Sequence, residues 1–386
     1  TILKRSEVLG LITKGYRTIA VAGTHGKTTT SSMIAHILKV AGKDMVAFLG
    51  GITTNYHSNL VMNGEVKKDT LVVVEADESD ASFLYFQPIL TVLTNIDADH
   101  MSTYGHDFAR LKQTFVEFIE HLPFYGMAVL CIDDQHIREI LPNISKPITT
   151  YGLSQDAQIS ASDIQHDNGR MCFRVKIGVN GSARQLDLTL NLPGLHNVQN
   201  ALAAIAVANE IGVSDTAIIR ALATFGGVER RFQRYGDIKI PGKGSFTLID
   251  DYGHHPAEIA ATISAVRGAF PGKRLVLAFQ PHRYTRTRDV FEDFVKVLST
   301  ADILLLTEVY SAGEEPIVAA DSKSLTRAIR VLGKLEPIYV EIPDELPSVI
   351  HGIVENGDVV LVMGAGSIGK VAAWVSKAAK KLVAIG

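Results

Sequence analysis

The sequence predicts an α/β protein with mostly parallel sheets, helices on their faces, and at least two domains. Three observations predict it. Short apolar runs alternate with stretches of helical apolar spacing over most of the chain. A Gly-Lys-Thr turn, inside VAGTHGKTTT at Val21–Thr30, joins the first such run to the first strong helix. The 386 residues are 46% hydrophobic, enough to build two or three cores.

Residues 1–17 read as a lead-in with a short helical pattern around Val8, Leu11 and Ile12. Apolar runs at Thr18–Ala22, Thr70–Val74, Ile89–Thr94 and Met127–Ile132 predict strands of a parallel sheet. Met33, Ile34, Ile37, Leu38 and Ala41 predict a helix after the first run, and Phe108–Ile119 carries its apolar residues on one face. Between 147 and 192 the pattern changes. Met171–Ile177 and Gln185–Leu190 alternate, and Asp167-Asn168-Gly169 and Asn180-Gly181 are hairpin turn signals. They predict antiparallel strands added to the sheet. Helical spacing returns at Asn197–Ile211 and Asp215–Phe225, and a domain boundary is expected within Gly226–Tyr235. Phe246–Ile249, Arg274–Phe279, Ile303–Leu306 and Asp358–Met363 then predict the strands of a second, doubly wound domain.

A strand, a Gly-Lys-Thr turn and a helix together hold nucleotide phosphates. Gly23 and Gly26 admit the phosphates close to the backbone. The free N–H groups at the helix start point at the anion, and Thr24, His25 and Thr29 belong to the expected ATP-binding set. Lys27 adds a point charge, and Thr28 can place its hydroxyl on magnesium. The usual glycine five residues before Gly26 is Val21, so this is a variant loop anchored on Gly23.

Ligands of open α/β sheets bind at the carboxyl ends of strands. Glu75 ends one such run, within VVVEADESD, and is favoured over Asp77, Glu78 and Asp80 as a magnesium ligand. TNIDADH, ending the next run, offers Asp97, Asp99 and His100. PGLHNVQN sets Asn197 and Asn200 three apart on a helix, where a carboxamide could read an adenine edge or cap the helix. GVERRFQ places Arg230 and Arg231 near the boundary. DDYGHHP follows a strand of the second domain with Asp250, Asp251, Tyr252, His254 and His255. QPHRYTRT follows the next, and its Arg283 and Arg286 suit a carboxylate or phosphate. GAGSIG at Gly364–Gly369 matches a dinucleotide pattern, but no βαβ unit follows it, so a tight strand–helix turn is expected.

Taken in order, AGTHGKTTT, VVVEADESD, TNIDADH, PGLHNVQN, GVERRFQ, DDYGHHP and QPHRYTRT resemble the Mur ligase family over essentially the whole chain. DDYGHHP with QPHRYTRT resembles the alanine-adding branch. The resemblance implies a P-loop ATPase domain at 18–230 and a Rossmann-like α/β domain at 231–386. It also implies that an N-terminal uridine-nucleotide domain of this family lies outside the sequence, with impaired turnover as the expectation. The implied reaction is ATP-dependent amide formation in peptidoglycan precursor synthesis, from ATP, L-alanine and UDP-N-acetylmuramate, with two magnesium ions. Lys27 would contact the β- and γ-phosphates. Thr28 and Glu75 would bind magnesium, and His100 a second ion. Asn197 or Asn200 would meet adenine, and Asp250 or Asp251 the ribose. Arg231, ahead of Arg230, would reach the γ-phosphate. Tyr252, His254, Arg283 and Arg286 would line the amino-acid and sugar side. A related murein peptide ligase, a folate–glutamate ligase, and a nucleotide-binding module without ligase activity are the competing readings.

Lys plus Arg numbers 38 against 41 for Asp plus Glu, which gives no support for a nucleic-acid or membrane-surface partner. Cys131 and Cys172 are the two cysteines, so no disulfide framework or zinc spacing exists and a reducing, cytoplasmic setting is expected. A monomer or weak homodimer is the expected state.

Overall fold

A computed structural model describes residues 5–178, 183–240, 242 and 244–377. The Asn180-Gly181 turn signal lies outside them. The chain divides after Val228 into two compact units.

The first unit holds strands β1 (Arg17–Ala22), β2 (Met45–Thr53), β3 (Ser58–Asn63), β4 (Leu71–Glu75), β5 (Leu90–Leu93), β6 (Met127–Cys131), β7 (Ile148–Gly152), β8 (Ile159–Asp167), β9 (Arg170–Ile177) and β10 (Arg184–Leu190). They form one sheet in the order β10-β9-β8-β7-β6-β5-β1-β4-β2-β3. From β2 to β8 through β1 the neighbours are parallel, while β3, β9 and β10 add antiparallel edges. Asn168 (φ 50°) and Gly169 (φ 80°) both take positive φ in the β8–β9 turn, as a two-residue hairpin requires.

Six helices of this unit are α1 (Arg5–Thr13), α2 (Lys27–Val40), α3 (Phe108–Glu120), α4 (Gln135–Ile140), α5 (Leu195–Glu210) and α6 (Asp215–Thr224). Helix α2 packs on the sheet and beneath α5 and α6, which buries Thr28 through Leu38 on all sides. Burying Met33, Ile34, Ile37 and Leu38 contributes roughly 1.5–3 kcal/mol each. The predicted α1 forms, but its expected apolar face is the exposed one: Val8, Leu11 and Ile12 are 39%, 63% and 51% exposed. The helix approaches the unit through Gly10 instead, where a Cβ would lie 2.9 Å from the Tyr85 carbonyl oxygen. The β2–β3 hairpin is not foreseen. Gly50-Gly51 interrupts its pattern, and Leu60 and Met62 face solvent, so polar alternation is missing.

The second unit has β11 (Gln233–Ile240), β12 (Gly244–Asp251), β13 (Leu275–Phe279), β14 (Ile303–Thr307), β15 (Ile338–Val340) and β16 (Val359–Met363), ordered β11-β12-β16-β13-β14-β15. All but β11 run parallel. Helices α7 (Pro256–Ala269), α8 (Tyr284–Asp289), α9 (Phe291–Leu298), α10 (Ser322–Val331) and α11 (Leu346–Ile353) cover its faces. Strands β11 and β15, one rich in charge and one very short, escape a reading based on apolar runs. Among the described residues, no helix is long and apolar enough to cross a membrane.

Candidate active site

In the first unit β1 lies between β4 and β5 and runs parallel to both. Their carboxyl ends therefore bring three loops together: Gly23–Gly26, Glu75–Asp80 and Thr94–His100. Gly23 has φ 120° and Gly26 has φ 84°. A Cβ on Gly23 would lie 2.2 Å from Thr94 Oγ1, so that loop can pass here only without a side chain. Thr94 Oγ1 donates to the His25 carbonyl (2.6 Å), and Asn95 Nδ2 donates to the same oxygen (3.0 Å). The His25 N–H donates to Asn95 Oδ1 (2.8 Å), and the Asp97 N–H to Thr24 Oγ1 (2.9 Å). These bonds form the cradle in advance. Helix α2 begins at Lys27 with Gly26 as N-cap and no side-chain cap, which leaves its first-turn N–H groups for an anion.

The Thr28 hydroxyl lies 3.1 Å from Glu75 Oε1, and Glu75 Oε2 accepts from the Gly50 N–H at 3.0 Å. Two hard oxygens so placed at the mouth of the phosphate cradle fit magnesium. Beside Glu75 opens a cavity of about 510 Å³, also lined by Phe48, Asp77, Ser79, Asp80 and Phe86. His100 lies 3.6 Å from the Asp99 carboxylate. Lys27 donates to the Gly23 and Thr24 carbonyls and to Glu78. Burial opposes its charge, but Glu78, Asp77 and Glu75 outweigh that and hold it protonated.

Asn197 and Asn200 are both buried on α5. Asn200 Oδ1 accepts from Thr30 Oγ1 (3.1 Å) and sits 2.6 Å from where a Gly26 Cβ would be. Its Nδ2 donates to Asn197 Oδ1, and Asn197 Nδ2 donates to the Pro193 carbonyl. The pair thus ties α5 to the start of α2.

In the second unit β16 lies between β12 and β13, again parallel to both. Asp250 and Asp251 face inward. Asp250 is fully buried, pairs with Arg230 at 3.1 Å, and is pushed up to about 6 by burial. Asp251 accepts from the Phe232 and Gly253 N–H groups (2.8 and 2.7 Å). In this structure these carboxylates hold the unit's own backbone and arginine. Arg230 also donates to the Gly364 carbonyl. The GAGSIG turn is closed by the protein itself. A Cβ on Gly366 would meet Gln280 Oε1 at 2.5 Å, and one on Gly369 would meet Arg230 at 2.5 Å.

Arg231 is placed differently, half-buried and 3.4 Å from Glu258, although both guanidinium groups lie over the Tyr252 ring. Glu258 ties the cluster together. It accepts from the His254 and His255 N–H groups at 2.9 and 3.2 Å and completes a capping box with His255 at the start of α7. The His254 ring meets those of Tyr252 and His282, and His282 stacks on Tyr310. Arg286, 7% exposed, donates to the His282 carbonyl at 3.3 Å. Arg283 (φ 71°) lies 3.8 Å from Glu314. Burial lowers His254 to about 4, against the pull of Glu258. Burial and its cationic neighbours lower His282 to about 4. Both imidazoles are neutral near pH 7 beside buried arginine charge, a setting that suits a small carboxylate. Sequence reasoning ranked Glu78 below Glu75 and missed Glu258, Thr94, Asn95 and Tyr310. Glu258 carries a legible signal, an acid three residues after a helix cap.

An α/β unit with a phosphate cradle, followed by one with an arginine- and histidine-lined cluster, defines the class. Residues 21–208 match the Mur ligase middle domain, and residues 230–366 match the Mur ligase, glutamate ligase domain. The chain belongs to the Mur ligase family. A UDP-N-acetylmuramate–L-alanine ligase of Nitrosomonas europaea is 66% identical over 387 residues, covering 100% of this chain and 80% of that protein. The protein of that name from Methylobacillus flagellatus is 61% identical, covering 98% and 79%. The crystal structure of UDP-N-acetylmuramate–alanine ligase from Thermotoga maritima is 30% identical with a TM-score of 0.78, covering 98% of this chain and 78% of that one.

Proposed function

We propose that this chain carries the reaction after which these relatives are named, the ATP-dependent joining of L-alanine to UDP-N-acetylmuramate. The observation that supports it best is the Gly23–Thr29 cradle with Thr28 and Glu75 at its mouth. The carboxylate of the sugar nucleotide attacks the γ-phosphorus of ATP, ADP leaves, and an acyl phosphate forms. The alanine amine then attacks the acyl carbon, phosphate leaves, and the amine proton passes to solvent. The chain's task is alignment and charge neutralisation. Lys27 and the first-turn N–H groups of α2 grip the β- and γ-phosphates, and Arg231 is assigned to the γ-phosphate. Thr28 and Glu75 would hold magnesium, with His100 assigned to a second ion. A magnesium ion held there would supply positive charge to the phosphate oxygens. Arg286, Arg283, His254 and Tyr252 are assigned to alanine and the sugar side, with the arginines on the alanine carboxylate.

The test has two stages. This chain is titrated calorimetrically with a non-hydrolysable ATP analogue and magnesium. ADP formation is then followed with UDP-N-acetylmuramate and a panel of amino acids. Nucleotide binding and the fastest turnover with L-alanine are expected. Nucleotide binding with no amino-acid-dependent ADP formation would favour a nucleotide-binding module instead, and a preference for a preformed peptide would favour a murein peptide ligase.

A further inference from the structure

Glu78 has no part in the reaction above, yet it is 2% exposed and bonded to the phosphate-loop lysine. A lysine ammonium has three N–H donors. Lys27 Nζ has three acceptors inside the unit: the Gly23 carbonyl at 2.7 Å, the Thr24 carbonyl at 3.2 Å and Glu78 Oε2 at 2.7 Å. None is left over for a phosphate. The two side chains are 12% and 3% exposed, so their charge-assisted bond is shielded from water and strong. Glu78 is also pinned. Its carbonyl accepts from the Tyr104 hydroxyl and from the Ala81 N–H (3.0 Å), and Thr103 Oγ1 holds the next carbonyl, that of Ser79, at 2.6 Å. Tyr104 is itself 2% exposed. With the Glu78 backbone held, Lys27 on its four-carbon stem is the partner that can swing to a phosphate.

We propose that Glu78 is a positioning residue that parks Lys27 when no nucleotide is bound and competes with the ATP phosphates for it. The inference rests on the nucleotide reading above. Binding exchanges one anion for another at Lys27 and leaves Glu78 buried without its cation. Nucleotide affinity is thus set below what the cradle alone would give, and Glu78 can take Lys27 back as the product anion leaves.

The experiment is a calorimetric titration of the full 386-residue chain with a magnesium complex of a non-hydrolysable ATP analogue, in wild type, Glu78→Gln and Glu78→Asp. In Glu78→Gln the dissociation constant falls about tenfold, the smallest effect expected for a close buried charge pair. The nucleotide-free protein melts earlier in the same variant, because Lys27 loses its counter-charge. Glu78→Asp withdraws the charge by one methylene and falls between the two. It decides the matter if Glu78→Gln does not fold. A folded variant with a lower melting temperature and unchanged or weaker nucleotide affinity would make Glu78 merely structural and overturn the parking role. Failure of wild type to bind the nucleotide would instead overturn the functional reading, and the parking role with it.

Discussion

Gly23→Ala tests the close approach on which the phosphate cradle depends. Two costs add. Gly23 has φ 120°, and an L-residue held at such an angle is strained by about 1–2 kcal/mol. The new Cβ would also lie 2.2 Å from Thr94 Oγ1 and 3.0 Å from the Asn95 backbone nitrogen and oxygen. Backbone cannot yield as a flexible side chain does, and overpacking of this kind costs about 1–3 kcal/mol. The sum, about 2–5 kcal/mol, corresponds to a melting temperature lower by roughly 10 °C for a unit of this size. Gly42→Ala is the control. Its φ is also positive, at 70°, but no atom lies within 4 Å of the added Cβ, so the conformational cost stands alone. Both variants are unfolded in urea, and nucleotide affinity is measured on each. Gly23→Ala is expected to lose more stability than the control and to bind nucleotide weakly, because Thr94 can no longer hold the His25 carbonyl. Equal stability in the two variants would refute the reasoning.

Four further outcomes are expected. Lys27→Ala loses detectable nucleotide binding by calorimetry; full retention would remove the lysine from the phosphates. Arg286→Ala raises KM for L-alanine far more than KM for ATP in the coupled ADP assay, and equal increases would contradict its assignment. Arg230→Ala leaves Asp250 buried without its cation and destabilises the protein by roughly 3–5 kcal/mol in urea unfolding, whereas Arg231→Ala changes stability little; similar losses from both would show that the ion pair is not what separates the two arginines. Stability also falls as pH drops. His36, bonded to Tyr56 and Thr224 on its two nitrogens, is lowered by burial to about 4, like His254 and His282. Between the unfolded value near 6.5 and the folded value near 4 the unfolded chain binds more protons, so stability present at neutral pH is lost through that window. Urea midpoints that agree near pH 7 and near pH 5 would rule this out.

Much of the first unit was legible because its strands are buried on both faces. β1, β4, β5 and β6 are continuous apolar runs, and an apolar run read against glycine and lysine punctuation identifies strand, cradle and helix together. The exposed α1 face and the β2–β3 hairpin were not legible, because their apolar residues follow no burial pattern that periodicity can detect. In the candidate site, Thr28 and Glu75, which the structure brings within 3.1 Å, could be singled out because each sits at a fixed offset from a strand end. Glu78 was passed over because four acids in six residues look alike in sequence, and burial alone distinguishes the one that bonds Lys27.

The chain of residues by itself determined the buried parallel strands with the helices between them, the phosphate loop and the family, since these depend on local spacing and on side-chain chemistry at fixed offsets. Tertiary structure alone decided which partners each of several equivalent groups meets. Arg230 and Arg231 are adjacent in sequence, yet one is locked on Asp250 and the other lies beside Glu258. Asp250 and Asp251 turn inward, and Asn200 lies against Gly26. The physical reason is the same in each case. A charge or amide takes its role from the partners and the water around it, and strand order, which sets β1 between β4 and β5 and β16 between β12 and β13, brings in partners from distant parts of the sequence.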